Sequence, residues 1–388
     1  MKPRVFMLIA GEPSGDLLAA ELVKALKQSP RVRANPFPPE FFGAGGSGMA
    51  AEGVELALDL TRHSVIGVSD VLKKYWEFKR IFDQLFALAL ERRPDVIICV
   101  DFSGFNRRFA HGIKEYVRAQ HGSFNNWAPR IVQYVSPQVW ASRPGRVYQI
   151  ARDYDLLLSI FPFEKEWYAA RVPQLRVEFV GHPLCDRFNA QHLKLKVQGS
   201  SPLVVLLPGS REGELKRHLP VMLKAGHHMN SQVPLRWEMV LPNDELVEQA
   251  RRFPAPWPLK IQAGGLQKSL AEADLAIAST GTVTMECAWF GVPTVALYKT
   301  SWTTYLIGRQ MVTVKYLAMP NLLTDEEIYP EFVQHTATPE HIARAALELL
   351  NDPERRNATR KKLAKIVESL GPPGAAGRAS EAILNLFE

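Results

Sequence analysis

Short apolar runs of strand length alternate with helical patterns along almost the whole chain, and that alternation constrains the fold more than any other feature. Residues 5–10, 95–100, 130–135 and 156–160 read as buried parallel strands in the first half, and 203–207, 237–241, 275–278 and 294–297 repeat the pattern in the second. Between them, 16–27, 73–92, 214–227 and 282–290 carry helical periodicity. A twisted strand feeding a helix packs back onto its own sheet only by a right-handed crossover, so the chain is expected to form doubly wound α/β sheets. The clearest break is 189–202, polar and basic and ending in Gly199-Ser200-Ser201-Pro202. The expectation is two α/β domains facing each other across a cleft, at 1–190 and 191–350, then C-terminal helices at 351–388 packing back towards the first domain.

At 388 residues the chain is long enough for sizeable cores. Cys99, Cys185 and Cys287 lie far apart and form no CxxC, which excludes zinc ribbons and disulfide scaffolds and fits a reducing compartment. No run approaches the ~18 apolar residues of a membrane span. The apolar run at 5–10, behind Lys2 and Arg4, ends in Gly11-Glu12 and is expected to be a first strand rather than a signal peptide. Forty-seven Lys+Arg against 40 Asp+Glu give a net charge of +7, which implies an anionic partner: nucleic acid, a phosphorylated metabolite or an acidic lipid surface. Nucleic-acid binding calls for clustered Lys/Arg with interleaved aromatics; here the surplus is spread, and no nucleic acid is expected.

In open α/β sheets, ligands bind beyond the carboxyl ends of the strands, so the loops leaving the strands matter most. The first, Gly11-Glu12-Pro13-Ser14-Gly15-Asp16, offers glycines for close backbone approach, Ser14 or Asp16 as a helix cap, and Glu12 as a carboxylate aimed into the crevice. A tight turn with an N-cap explains that loop equally well. In the second, Asp101 ends an apolar strand; partial desolvation there raises a carboxyl pKa towards working pH, which makes it a candidate general base, with a helix-capping Asp as the plainer reading. The third, 136–146, contains Gln138 and the pair Arg143 and Arg146 at i, i+3, suited to a phosphate or to a solvated basic face. In the second half, Gly209-Ser210-Arg211 opens a helix, where exposed amides and a guanidinium form an anion site. Thr280-Gly281-Thr282 makes a second such turn suited to a pyrophosphate, and Glu286, about one helical turn on, is placed for ribose hydroxyls.

Other patterns carry less. Gly43-Ala44-Gly45-Gly46-Ser47-Gly48 satisfies GxGxxG, but Gly53 cuts the following stretch before a long helix develops, so a dinucleotide is not expected. Asp153-Tyr154-Asp155 matches a metal-binding D-x-D at the amino end of its strand, the wrong side for a ligand, and reads as solvated edge residues. Ten histidines show no metal-ligand spacing, and neither a metal nor a cofactor is expected. Residues 65–80 place Val65, Ile66, Val68, Val71 and Leu72 before Lys73, Lys74, Tyr75, Trp76, Phe78, Lys79 and Arg80, which suits an amphipathic core helix or a helix resting on an anionic bilayer.

Together and in this order, these motifs resemble the lipid-A-disaccharide synthases, inverting glycosyltransferases of GT-B architecture with two Rossmann-like domains. The resemblance is carried by Ala10-Gly11-Glu12-Pro13-Ser14-Gly15-Asp16, Gly45-Gly46-Ser47-Gly48-Met49, Val100-Asp101-Phe102 with Gly104-Phe105-Asn106, and Tyr134-Val135-Ser136-Pro137-Gln138-Val139-Trp140-Ala141. It continues through Phe161-Pro162-Phe163-Glu164-Lys165, Phe179-Val180-Gly181-His182-Pro183-Leu184, Leu206-Leu207-Pro208-Gly209-Ser210-Arg211 and Pro320-Asn321-Leu322-Leu323. It implies transfer from UDP-2,3-diacylglucosamine to 2,3-diacylglucosamine 1-phosphate, releasing UDP and forming the β(1→6) disaccharide of lipopolysaccharide biosynthesis. By resemblance, Asp101 deprotonates the acceptor 6-hydroxyl, with Glu12 as a second catalytic candidate. Arg211 meets the donor diphosphate, with Gly209, Ser210, Thr280, Gly281, Thr282, Glu286 and Asn321 around the nucleotide, and Ser14, Gln138, Arg143 and Arg146 on the acceptor side. The resemblance also implies a homodimer and a peripheral location on the inner face of a Gram-negative inner membrane, through 65–80.

Two positions depart from the family pattern: Gly104 stands where a second Asp is common, and Ser142 where a second tryptophan is usual. Two other readings are carried forward. One is another GT-B UDP-sugar transferase or a UDP-GlcNAc epimerase, and the other is a non-catalytic protein that binds lipid surfaces or nucleic acid.

Overall fold

The structure is a computed structural model and describes residues 3–61, 71–120, 122, 126–188 and 201–388, the side chains of 71–75 and 307 excepted. Most of the expected break at 189–202 and residues 65–70 of the apolar–basic stretch lie outside the described residues. The chain divides into two compact units, Met1–Arg187 joined by Leu370–Glu388, and Phe188–Ser369.

The first unit opens with β1 (Val5–Ala10), α1 (Pro13–Gln28), α2 (Pro30–Arg33), β2 (Glu40–Gly45), α3 (Ser47–Ala51) and β3 (Glu55–Asp59). It continues through α4 (Val71–Arg92), β4 (Val96–Val100), α5 (Ser103–Gln120), β5 (Arg130–Tyr134) and α6 (Val147–Asp153). Then come β6 (Leu156–Ser159), α7 (Pro162–Ala169), β7 (Arg176–Phe179) and α8 (Leu184–Arg187). The seven strands form one parallel sheet in the order β3-β2-β1-β4-β5-β6-β7. The switch of direction beside β1 places a crevice between β1 and β4. Ala10, Val100 and Tyr134 lie side by side in the register, so the loops leaving β1, β4 and β5 start from one edge.

The second unit repeats the plan. Its first part is β8 (Leu203–Leu207), α9 (Glu212–Asn230), β9 (Arg236–Leu241), α10 (Asp244–Ala250), β10 (Lys260–Ala263) and α11 (Leu266–Glu272). Next come β11 (Leu275–Ser279), α12 (Thr282–Trp289), β12 (Thr294–Tyr298), α13 (Trp302–Met311), α14 (Met319–Thr324) and β13 (Glu331–Val333). The helices α15 (Pro339–Asn351) and α16 (Pro353–Ser369) close it, and the chain ends with α17 (Ala375–Leu384). The six parallel strands run β10-β9-β8-β11-β12-β13, with Leu207 beside Ala278 and Ala278 beside Ala296.

The central strands are near-continuous apolar runs because helices cover both faces. Every residue of β4, β8 and β11 is buried. The strands that the apolar pattern does not reveal, β3, β7, β10 and β13, are the four sheet edges, where one side of each strand is unpaired and few residues are buried. The helical stretch from 351 onwards is divided: α16 packs against α12, α14 and α15, whereas α17 lies on α1 in the first unit. There Ser29 Oγ donates to Glu381 (3.2 Å) and Arg378 Nε to the Val180 carbonyl (2.8 Å). No helix among the described residues is long and apolar enough to cross a membrane.

Two motif readings change. Asp153 is not solvated: it is 1% exposed and accepts from Arg152 Nε (3.2 Å) beside His111 Nδ1 (3.1 Å). Asp155 Oδ2 accepts the Ile131 amide and Lys114 Nζ, both at 2.7 Å. The pair ties the amino end of β6 to β5 and α5. The glycines of 43–48 serve a carboxylate rather than a dinucleotide. Asp16, inside α1 and buried, accepts the amides of Gly46 (2.7 Å), Gly48 (2.8 Å) and Met49 (3.1 Å), so it caps the neighbouring helix α3 instead of its own. Asp16→Ala leaves three amides of a buried turn without their acceptor and is expected to cost about 3 kcal/mol in urea unfolding. A loss under ~1 kcal/mol would show that the turn does not depend on this carboxylate.

Candidate active site

The first-unit site is built on the β1, β4 and β5 ends. Glu12 is the N-cap of α1 in an extended conformation, and its side chain does not cap that helix. Ser14 sits exposed in the first turn. Gly11 is required by close packing, because a Cβ there would stand 2.3 Å from the Phe102 ring. Beside it, Asp101 (φ 48°) and Phe102 (φ 44°) both occupy the left-handed region, and Val135 (φ 65°) does so at the end of β5. Such conformations cost of order 1–3 kcal/mol each for residues other than glycine and persist only where surroundings impose them.

Two fully buried amides impose this one. Asn106 Nδ2 donates to the Asp101 carbonyl (2.9 Å), and Gln133 Nε2 donates to the carbonyls of Asp101 (3.0 Å) and Val135 (3.2 Å). Each amide leaves its own oxygen buried without a partner among the described residues. An unpaired buried acceptor costs about 1–3 kcal/mol, so the fold gives up stability twice to hold the Asp101 backbone. The carboxyl-bearing residue is only partly buried, at the open edge of the sheet.

The loop after β5 carries Gln138, exposed. Arg143 (φ 59°) caps a single 3-10 turn, Pro144–Arg146, which brings it above Arg146 as the i, i+3 spacing anticipates. Burial and then the charges of Arg107, Arg143 and Arg108 hold the Arg146 guanidinium below its ordinary pKa. Three neighbouring guanidinium groups thus act on that of Arg146, a field that favours an anion. Arg107 and Arg108 were not among the sequence candidates, although they directly follow Asn106 in the first turns of α5.

In the second unit, Gly209 (φ 126°) and Ser210 lead to Arg211, the N-cap of α9. The carboxylate of Glu214 lies against this turn: it accepts the Ser210 amide (2.9 Å) and Arg211 Nη1 (3.3 Å). A Cβ on Gly209 would fall 2.4 Å from Glu214 Oε2. Behind the turn, fully buried His218 donates Nδ1–H to the Pro208 carbonyl (2.7 Å) and accepts the Lys299 amide at Nε2 (3.0 Å). Burial keeps that imidazole neutral by lowering its pKa. Nothing in the sequence pattern singles out Glu214 or His218.

At the end of β11, the Thr280 amide donates to Leu297 O (3.1 Å), and Gly281 (φ 133°) is the N-cap of α12. Gly281 has no side chain to accept the first-turn amides, and Gly281 and Thr282 are exposed. Glu286 lies half-buried on α12, one turn on. Asn321, expected around the nucleotide, has its side chain turned into the fold. It is 0% exposed, its Oδ1 accepts the amides of Ile328 (2.9 Å) and Tyr329 (2.8 Å), and its Nδ2 donates to Tyr329 O (2.8 Å). These internal bonds hold the α14–β13 connection and occupy the side-chain amide.

A family model described as lipid-A-disaccharide synthetase matches residues 6–384, so every loop described above falls inside it. The chain belongs to this family. It is a glycosyltransferase of lipid A biosynthesis. The lipid-A-disaccharide synthase of Syntrophus aciditrophicus is 34% identical over 400 residues, covering 100% of this chain and 99% of that protein. That of Myxococcus xanthus is 35% identical over 394 residues, at 99% and 98% coverage. Among solved structures, Neisseria meningitidis UDP-GlcNAc 2-epimerase bound to UDP-GlcNAc is similar at a TM-score of 0.62 and 11% identity, over 99% of this chain and 100% of that one. Acinetobacter baumannii MurG is similar at 0.56 and 14% identity, over 99% of each chain. These neighbours establish the GT-B fold of the synthase family here.

One further group belongs to the β5 edge. Glu164, on α7, is 1% exposed and accepts Trp140 Nε1–H (2.9 Å). Burial pushes its carboxyl up to about 7, against hydrogen bonds from Trp140, Phe161 and Ser136 that lower it. The folded state therefore holds this proton more tightly than the unfolded chain, whose carboxyl titrates near its ordinary value, and the contribution to stability falls as pH rises through the window between the two and levels off above about 7. Glu164→Gln, always neutral, is expected to gain up to about 3 kcal/mol relative to wild type across that window. Thermal melts from pH 4.5 to 8 that run parallel for the two proteins would contradict the assignment.

Proposed function

We propose that the chain transfers the 2,3-diacylglucosamine unit of UDP-2,3-diacylglucosamine to the 6-hydroxyl of 2,3-diacylglucosamine 1-phosphate, with inversion. In this reading Asp101 takes the hydroxyl proton as O6 attacks the anomeric carbon. The bond to the diphosphate oxygen breaks on the opposite face, and UDP leaves. What supports Asp101 is its turn, strained and doubly locked, at the crevice of the first sheet. Glu12 joins it as a second carboxylate on that edge. The single observation that carries the whole reading is the family match across residues 6–384, with the candidate motifs at strand ends.

The leaving diphosphate gains negative charge, and preorganised donors stabilise it without reorganisation at the moment of reaction. Those donors are the Gly209–Arg211 turn, Arg211 itself and the Thr280–Thr282 turn opening α12. Glu286 accepts ribose hydroxyls. The diphosphate displaces the Glu214 carboxylate from Ser210 N and Arg211, while His218 keeps the turn in place. Asn321 acts from behind, through the backbone. On the acceptor side, Arg143 and Arg146, with Arg107 and Arg108, receive the 1-phosphate, and Ser14 and Gln138 contact the sugar.

Both substrates carry acyl chains, so the reading includes a peripheral site on the inner membrane face. Trp76 is 63% exposed on α4 with Lys79 and Arg80 exposed beside it, an aromatic–basic face suited to an anionic interface. The other face of α4 buries Ile81, Leu85 and Ala89, so one helix serves core and surface. A homodimer is part of the same reading.

Purified protein supplied with both diacylated sugars should release UDP and form the disaccharide, and with either sugar alone should do neither. Asp101→Ala should lower kcat about 10³-fold, and Arg211→Ala should cost about 10²-fold. Turnover of UDP-GlcNAc alone would favour an epimerase and end this reading. Trp76→Ser with Lys79→Glu should weaken sedimentation with phosphatidylglycerol vesicles severalfold; unchanged binding would remove α4 from the membrane contact.

A further inference from the structure

The Phe161–Lys165 motif has no role in the chemistry above, yet α7, which it opens, grips the loop that leaves β5. Glu164 and Tyr168 stand at i, i+4 and so share one face of α7. Both are buried, 1% and 0% exposed. Tyr168 Oη donates to the Pro137 carbonyl (3.0 Å) and accepts Ser136 Oγ–H (3.3 Å). Glu164 accepts the Trp140 indole N–H (2.9 Å), and the Trp140 ring packs edge-on against Phe163, centroids 4.9 Å apart.

The loop is thus fixed on both sides of Gln138: at Ser136 and Pro137 before it, and at Trp140 after it. Gln138 itself is exposed, while its neighbours Pro137 and Val139 are buried. Upstream, Val135 holds a left-handed conformation under the Gln133 amide. A β-branched residue in that region, two anchored flanks and one displayed polar side chain describe a loop held in a conformation it would not adopt alone. The anchoring groups are polar and buried, where apolar residues would pack at lower desolvation cost, so their value lies in direction rather than in burial.

We propose that Glu164 and Tyr168 act as positioning residues, a clamp that holds Gln138 and the following Arg143–Arg146 turn in place for the sugar-phosphate acceptor. This rests on the assignment of that loop to the acceptor side. Neither residue touches substrate; each acts through the loop.

The test is steady-state kinetics of the full chain with both diacylated sugars, varied separately. Tyr168→Phe keeps the ring and removes its hydrogen bonds, and Glu164→Ala removes the Trp140 acceptor. Each is expected to raise the acceptor KM about five- to tenfold, the equivalent of one lost hydrogen bond, with donor KM and UDP affinity within twofold of wild type. Glu164→Gln retains an oxygen for Trp140 and should restore the acceptor KM even though the charge is gone. On a Gln138→Ala background, Tyr168→Phe should add less than its effect alone, because the two act on one contact. Acceptor KM unchanged in both variants, with only the melting temperature lowered, would reduce the pair to a structural role and overturn the proposal. A rise in donor KM instead would overturn the acceptor assignment and the clamp's stated purpose together, while wild-type turnover would keep the synthase reading separate from both outcomes. Should Glu164→Ala fail to fold, Tyr168→Phe and Trp140→Phe carry the same comparison.

Discussion

The Asp101 carbonyl, held by one amide from β5 and another from α5, is the contact on which the backbone at the end of β4 depends. Without Gln133 and Asn106, the chain leaving β4 would relax into an ordinary αR or β conformation, and the Asp101 side chain would turn with it. The lock works because β4 and β5 are adjacent and in parallel register, so a side chain near the end of one strand reaches the carbonyl at the end of the other. Its cost is borne by the surrounding core. Phe102 extends the turn into an aromatic row through Phe105 and Phe109 to Phe82 of α4, with centroid separations of 5.5–6.3 Å. The strained backbone is thereby tied to apolar packing, which is the least costly way to over-determine it.

The second unit solves a related problem with different groups. The turn that opens α9, proposed to meet the diphosphate, must keep its amides aimed outwards. Here a neutral histidine fixes the turn from behind by taking one carbonyl of β8's exit and one amide of β12's. A carboxylate from the next turn of α9 satisfies the donors in front. The two sheets share strand order and parallel sense, but the first unit relies on amide locks and clamped loops and the second on helix starts.

Much of this fold is legible in the sequence because central strands of a covered sheet are continuous apolar runs, and 5–10 and 203–207 coincide with β1 and β8 to the residue. Edge strands lack that signature: Glu55–Asp59 and Lys260–Ala263 pair on one side only, and their composition resembles that of loops. The strand-end placement of Glu12, Asp101 and Arg211 follows from the alternation alone. Asn321 could not be sorted in the same way, since its burial is decided by the α14–β13 connection folding over it. Asp16 illustrates the same limit, because a carboxylate near a glycine-rich loop looks like a cap for its own helix until the sheet brings α3 alongside. Glu164 and Trp140 meet only because β5 and β6 are neighbours. Pairings across a sheet are set by register, and no local spacing encodes them.

In the proposed function, Glu214 gives the Gly209–Arg211 turn an internal competitor. A diphosphate bound there as proposed would first release a carboxylate already tethered at high effective concentration, so the turn's grip on it would be the difference between two good interactions rather than the whole of one. Binding of substrate and of spent nucleotide would be weakened alike, which would lower affinity without touching the advantage reserved for the charge that develops during bond breaking. A site that held its product as tightly as its donors permit would stall after one cycle. In that reading the tethered carboxylate would satisfy the turn's donors again as the nucleotide leaves, and so favour release.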